Sequence, residues 1–228
     1  MLRKLVVEAV GTFFLVFTIG QVVIDPGAGQ MVPLAIGSVL MAMVYAGGHV
    51  SGAHYNPAVT LAVLVRGLVT LNEAVGYWIA QLVAALLAAG VVAYLKGAPA
   101  AAPFEPPVAP AMLAEFLFTF ALAFVVLNVA TAAGTKGNSY FGLAIGFTVL
   151  AAAYAVGGVS GAVLNPAVAA GLVGMGSLAA DRLWTYLIAE VAGGAAAALL
   201  FNAMHLGDDE PTTATPANQA GPVPPAEP

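Results

Sequence analysis

Residues 50–59 read VSGAHYNPAV, and residues 159–168 read VSGAVLNPAV. The interval from Asn56 to Asn165, 109 positions, also pairs LAIG at 34–37 with LAIG at 143–146 and YWIAQ at 77–81 with YLIAE at 186–190. Between 32–60 and 141–169, 16 of 29 positions are identical, more than shared apolar composition produces, so the chain carries an internal duplication. At the front of each copy EAVGTF at 8–13 faces EFLFTF at 115–120 with an interval of 107, which places two extra residues in the loop at 132–138. A chain written this way folds as two like halves.

The halves are built for lipid. Of 228 residues 61% are hydrophobic and 7% charged, against roughly a quarter charged in a soluble domain. Apolar runs long enough to cross a bilayer, about 20 residues each, stand at about 5–24, 32–50, 72–95, 109–131, 139–158 and 183–204. The first run follows Arg3 and Lys4 like a signal peptide, but it contains Glu8 and no small-residue cleavage site, so it reads as the first span. Three spans per half is an odd number. The second copy therefore enters the membrane from the opposite side, an inverted repeat that places a shared site near the midplane.

The boundaries follow: a first repeat at 1–100, a second at 101–206, and a polar, Pro-rich tail at 207–228 that reads as disordered. The connection KGAPAAAPFEPPVAP at 96–110 reads as a surface linker. With no cysteine there is no disulfide, thiolate metal site or Cys nucleophile. The net charge of −5 comes partly from the tail's Asp208, Asp209, Glu210 and Glu227 and implies no nucleic-acid partner. Nothing resembles a phosphate loop, a metal site or a catalytic triad, so neither a cofactor nor an enzyme activity is expected. With a cytoplasmic N-terminus, Arg3, Lys4, Arg66 and Lys136 fall inside and Lys96 and Arg182 outside, which favours both termini in the cytoplasm of a multi-pass plasma- or inner-membrane protein.

The repeated motif lies where each half has a segment too apolar for a solvent loop, at 51–71 and 159–182. In each, Asn stands where a helix N-cap belongs and Pro occupies the first turn. A helix over 57–66 would be about 15 Å long, half the hydrocarbon thickness. Inversion brings two such half-helices from opposite faces to meet at their N-termini. The preceding segments, 52–55 and 161–164, leave carbonyls unpaired, which is tolerated at this depth only when the backbone is buried or lines a wet cavity. An isolated Asn-Pro is ordinarily just a cap. Its recurrence at the interval of the flanking spans points to a pore.

Paired Asn-Pro-Ala motifs on re-entrant half-helices in an inverted six-span repeat resemble the aquaporin, or major intrinsic protein, family. GHVSGAHYNPAVT at 48–60 is similar to the family's first-loop signature, and the resemblance covers about residues 3–205. It implies an all-α membrane protein with an aquaporin-like inverted repeat of 3+3 transmembrane helices plus two re-entrant half-helices. It also implies a passive channel for water and small neutral solutes, assembled in the bilayer as a homotetramer. Carried over by position, the motif residues are Asn56, Pro57, Ala58, Asn165, Pro166 and Ala167. The path carbonyls belong to Gly52, Ala53, His54, Tyr55, Gly161, Ala162, Val163 and Leu164, and the framework residues are Glu8, Glu115, His49, Gln81 and Glu190. Half-helix N-termini each carrying about half a positive charge repel cations, and water held by two asparagines cannot relay a proton.

Two departures stand out. The arginine that the family usually carries after its second Asn-Pro-Ala is Val168, and the other constriction positions are Ile36, Ala153 and Ala162, which implies a wider, apolar narrowing. The Asp that follows in the glycerol-conducting branch is Ala169. Arg182 is the one outer-side arginine left to replace the missing charge. Glu190 stands where the family usually has proline, and its repeat mate Gln81 argues for a hydrogen-bonding role between helices. Its ionisable carboxyl also keeps an ion-coupled secondary transporter in view. A junction or scaffold protein with a vestigial pore is a third class, disfavoured by the small residues along the path.

Overall fold

The computed structural model describes residues 1–25, 27–97 and 99–207. Among these, eight α-helices follow in order: α1 Leu2–Val23, α2 Val32–Ser51, α3 Pro57–Val65, α4 Leu71–Lys96, α5 Val108–Thr131, α6 Phe141–Ser160, α7 Pro166–Gly174 and α8 Leu183–Ala203. Six of them, all but α3 and α7, are long and apolar enough to cross a membrane. The ends differ from the sequence reading by up to three residues. At α2 and α6 the helix continues through the serine of the repeated motif, because each gains a left-handed glycine cap, Gly52 at φ 88° and Gly161 at φ 89°. Apart from Gly207, the tail expected to be disordered lies outside the described residues.

The halves correspond helix for helix, α1–α4 with α5–α8. The packing repeats accordingly: α1 lies on α4 as α5 lies on α8, and α3 packs on α8 as α7 packs on α4. The central contact is α2 against α6, where the repeated Leu-Ala-Ile-Gly explains itself. A Cβ on Gly37 would stand 2.8 Å from the Gly146 carbonyl, and one on Gly146 would stand 2.6 Å from the Gly37 carbonyl. Only glycine allows this approach, which lets the two backbones gain the dispersion contacts that drive helix association in lipid. Outward faces stay apolar, with Ile79, Val83 and Leu87 of α4 and Leu113 and Leu117 of α5 exposed.

The linker is more firmly placed than its composition suggests. Phe104 exchanges two backbone hydrogen bonds with the loop after α7: its N–H donates to Ser177 (2.9 Å), and its carbonyl accepts from Ala179 (3.2 Å). Beside it Glu105 reaches the Arg182 guanidinium at 3.9 Å.

Candidate functional site

The re-entrant segments are held by carboxylates from inside the bundle. Glu8 on α1 accepts from the His54 N–H (2.9 Å), the Tyr55 N–H (2.7 Å), the Ser51 hydroxyl (2.6 Å) and the Gln81 amide (2.9 Å). Glu115 on α5 accepts from the Val163 N–H (2.9 Å) and the Leu164 N–H (2.7 Å). These bonds offset an unfavourable backbone: Ala53, Tyr55, Ala162 and Leu164 sit at φ between 50° and 54°, a region that L-residues with side chains seldom occupy. Tyr77 and Tyr186 complete the frame. Their hydroxyls donate to the last carbonyls of α2 and α6, Ser51 (2.8 Å) and Ser160 (2.5 Å).

Asn56 and Asn165 then cap α3 and α7. Asn56 Oδ1 accepts from the Ala58 N–H (2.8 Å) and the Val59 N–H (3.4 Å), and Asn165 Oδ1 from Ala167 (3.0 Å) and Val168 (3.4 Å). Pro57 and Pro166 fill the first helical position, where their missing N–H costs nothing. The asparagines also cross between halves. Asn56 Nδ2 donates to the Leu164 carbonyl (2.7 Å) and Asn165 Nδ2 to the Tyr55 carbonyl (2.9 Å). Each amide nitrogen carries two hydrogens, so one remains to each side chain after this bond.

A cavity of about 480 Å³ runs along this meeting point, lined by both asparagines and by Ile36, Ala153, Ala162 and Val168. All of 53–55 and 161–164 line it too, whereas Gly52, expected among the path residues, does not. Three further expectations separate here. Glu8, Glu115 and Glu190 are buried outside the cavity wall. His49 is exposed on the last turn of α2, and its side chain makes no hydrogen bond among the described residues. The histidine that braces the first segment is His54, whose Nδ1 lies 3.1 Å from the Thr60 hydroxyl and whose ring meets Tyr77 edge to face. Arg182 does not line the cavity; it pairs with Asp181 at 2.8 Å and with Glu105.

Among the lining residues not foreseen is one from the connection between the halves. Phe104 reaches the cavity from the linker, its ring within van der Waals range of the space beside Gly161. Its only sequence signal was an aromatic residue in an otherwise small-residue and proline-rich connection.

The profile of the Major intrinsic protein family matches residues 1–151 and again 104–222, which together span nearly the whole sequence. The chain belongs to the major intrinsic protein family. Family members are passive membrane channels, and this one is accordingly a channel for water or small solutes rather than an enzyme. Similar relatives include Aquaporin NIP1-4 of Oryza sativa subsp. japonica, 38% identical over 91% of this chain and 79% of its own length. Another is Glycerol uptake facilitator protein-like 6 of Lactiplantibacillus plantarum, 35% identical over 89% of this chain and 98% of its own length. The X-ray structure of the aquaglyceroporin from Plasmodium falciparum superposes with a TM-score of 0.74, covering 88% of this chain and 95% of that one at 22% identity, which speaks to the shared fold.

Proposed function

We propose that this channel conducts water together with small uncharged solutes through a path whose narrowing is apolar and wide for the family, formed by Ile36, Ala153, Ala162 and Val168. The observation that carries the reading is Val168. It stands in the first turn of α7, 2% exposed, beside the asparagine that caps the helix and along the cavity wall. Among the described residues no guanidinium joins the cavity lining, and Arg182 is engaged by two carboxylates elsewhere. Relatives named for water and for glycerol support a broad rather than a strict solute range. The placement of Glu190 outside the cavity wall favours passive flux over ion coupling.

In this reading the remaining hydrogen on Asn56 Nδ2 and on Asn165 Nδ2 donates to a passing water, and the carbonyls of 53–55 and 161–164 replace its lost hydration. The two helix N-termini add a positive field that opposes cations. Without the fixed arginine charge, proton and cation exclusion rests on these dipoles and asparagines alone and is weaker than in arginine-bearing members. The protein sits in a cell membrane as a homotetramer with both termini cytoplasmic. Val168→Arg tests the constriction. In proteoliposomes the variant should lose glycerol and urea flux much more than water flux, and any proton leak should shrink. An unchanged solute profile would remove these four residues from the constriction.

A further inference from the structure

Glu190 and Gln81 occupy the same position in the two halves, yet their bonding differs in a way that fixes where a proton sits. In the first half Gln81 Nε2 uses both hydrogens, one on Glu8 Oε2 (2.9 Å) and one on the Thr60 hydroxyl (3.1 Å). In the second half Glu115 stands for Glu8, and the residue at the Thr60 position is Ala169, so one of those two acceptors is gone. Glu190, fully buried, accepts the Asn165 backbone N–H at Oε1 (2.9 Å). Its Oε2 is buried with no hydrogen-bond partner among the described residues, and its carboxyl neighbours that of Glu115.

The donors and acceptors around the pair are unequal. Glu115 already accepts from the Val163 and Leu164 N–H groups, one on each oxygen. Both oxygens of Glu115 are thus taken by backbone N–H donors, as suits a carboxylate, whereas Glu190 keeps an unoccupied oxygen that can carry a proton. Two carboxylates in contact in a buried interior repel strongly. We infer that Glu190 is a carboxylic acid whose Oε2–H donates to Glu115, and that this shared proton positions Asn165 at the crossing point. A single O–H needs a single acceptor, which is what the second half offers once threonine has become alanine. Glu190 thus acts through the backbone of Asn165, as a positioning residue and not as part of the path. The inference concerns the proton and stands apart from the solute range proposed above.

The test uses the full-length channel in liposomes with two independent readouts. Infrared difference spectra between wild type and Glu190→Gln should show the carbonyl stretch of one buried carboxylic acid, shifted in heavy water and absent from the variant. Glu190→Gln supplies an amide donor in the same place, so it should keep water flux within about twofold of wild type. Glu190→Leu removes both the donor and the acceptor for Asn165 and should lower flux by roughly tenfold or more, the scale of a lost hydrogen bond to a charged group. Adding the missing acceptor should help the amide but not the acid, so Ala169→Thr should raise the melting temperature of Glu190→Gln and leave wild type unchanged or lower. No acid band in wild type, an acid band surviving in Glu190→Gln, or equal damage from Gln and Leu would each overturn the assignment.

Discussion

Asn56 and Asn165 each make a cap on their own half and a bond to the other, so the amide group cannot be replaced by its acid. A carboxylate at 56 would still cap α3, but it would turn an oxygen toward the Leu164 carbonyl now 2.7 Å from Nδ2. Two acceptors face to face at a buried site cost about 1–3 kcal/mol, more with a formal charge. Asn56→Asp should therefore melt at lower temperature in detergent and lose most water flux, while Asn56→Ala should lose about 1 kcal/mol from the cap and about as much again from the vacated bond to Leu164. Stopped-flow shrinkage and thermal unfolding of the two variants check this, and wild-type flux in Asn56→Asp would contradict the crossing-point arrangement. At this scale the sequence was nearly sufficient. The caps, the prolines and the buried glutamates were all legible, because each is a local demand repeated twice. What single-residue reading mistook was His49 for His54 as the histidine that braces the first segment, since both stand near the motif and only packing separates a helix-end exposed ring from one buried on Tyr77.

Helices α3 and α7 are nine residues each, too short for independent stability in water, and packing against neighbouring helices supports them. Trp78 of α4 donates to the Pro57 carbonyl (3.1 Å), and Asn202 of α8 to the Val65 carbonyl (3.0 Å), so α3 is tied at its start and its finish. Gly194 permits the contact with α8: a Cβ there would stand 2.6 Å from the Ala58 carbonyl. The linker belongs to the same scale. Read from composition it is a surface connection; in the fold its Phe104 lines the mouth of the cavity, held by the backbone bonds to Ser177 and Ala179. Phe104→Ala leaves those bonds intact and removes the ring. It should raise glycerol and urea flux by several-fold, with water flux changed less, in the same liposome assay used for Val168→Arg. Equal effects on all solutes would place Phe104 outside the rate-limiting region.

Across the whole molecule the inverted repeat makes one path out of two copies of a bent segment, each completed by the other. The cross-bonds from Asn56 to Leu164 and from Asn165 to Tyr55 span 108 and 110 positions and give the halves a shared centre. That centre holds neutral amides, and the carboxyls of Glu8, Glu115 and Glu190 are buried away from the cavity wall. Solute movement should then follow the solute gradient alone. Flux measured with and without an imposed sodium or proton gradient should be the same, and uphill accumulation driven by either ion would move the protein to the coupled transporters.

Periodicity and repetition by themselves determined the spans, the duplication, the opposite orientation of the halves and the start of each half-helix, because hydrophobic length, caps and an odd span count are properties of the chain read in order. The tertiary structure alone decided which groups meet across the duplication. The cross-bonded asparagines, the Gly37–Gly146 approach, the engagement of Arg182 by Glu105 and the arrival of Phe104 over the cavity all join residues far apart in sequence. The pairing of Glu190 with Glu115 is of the same kind. The change from Gln81 to Glu190 was visible in the sequence, but its meaning depended on which donors had already filled Glu115, and that follows from how buried groups saturate one another's hydrogen bonds in three dimensions.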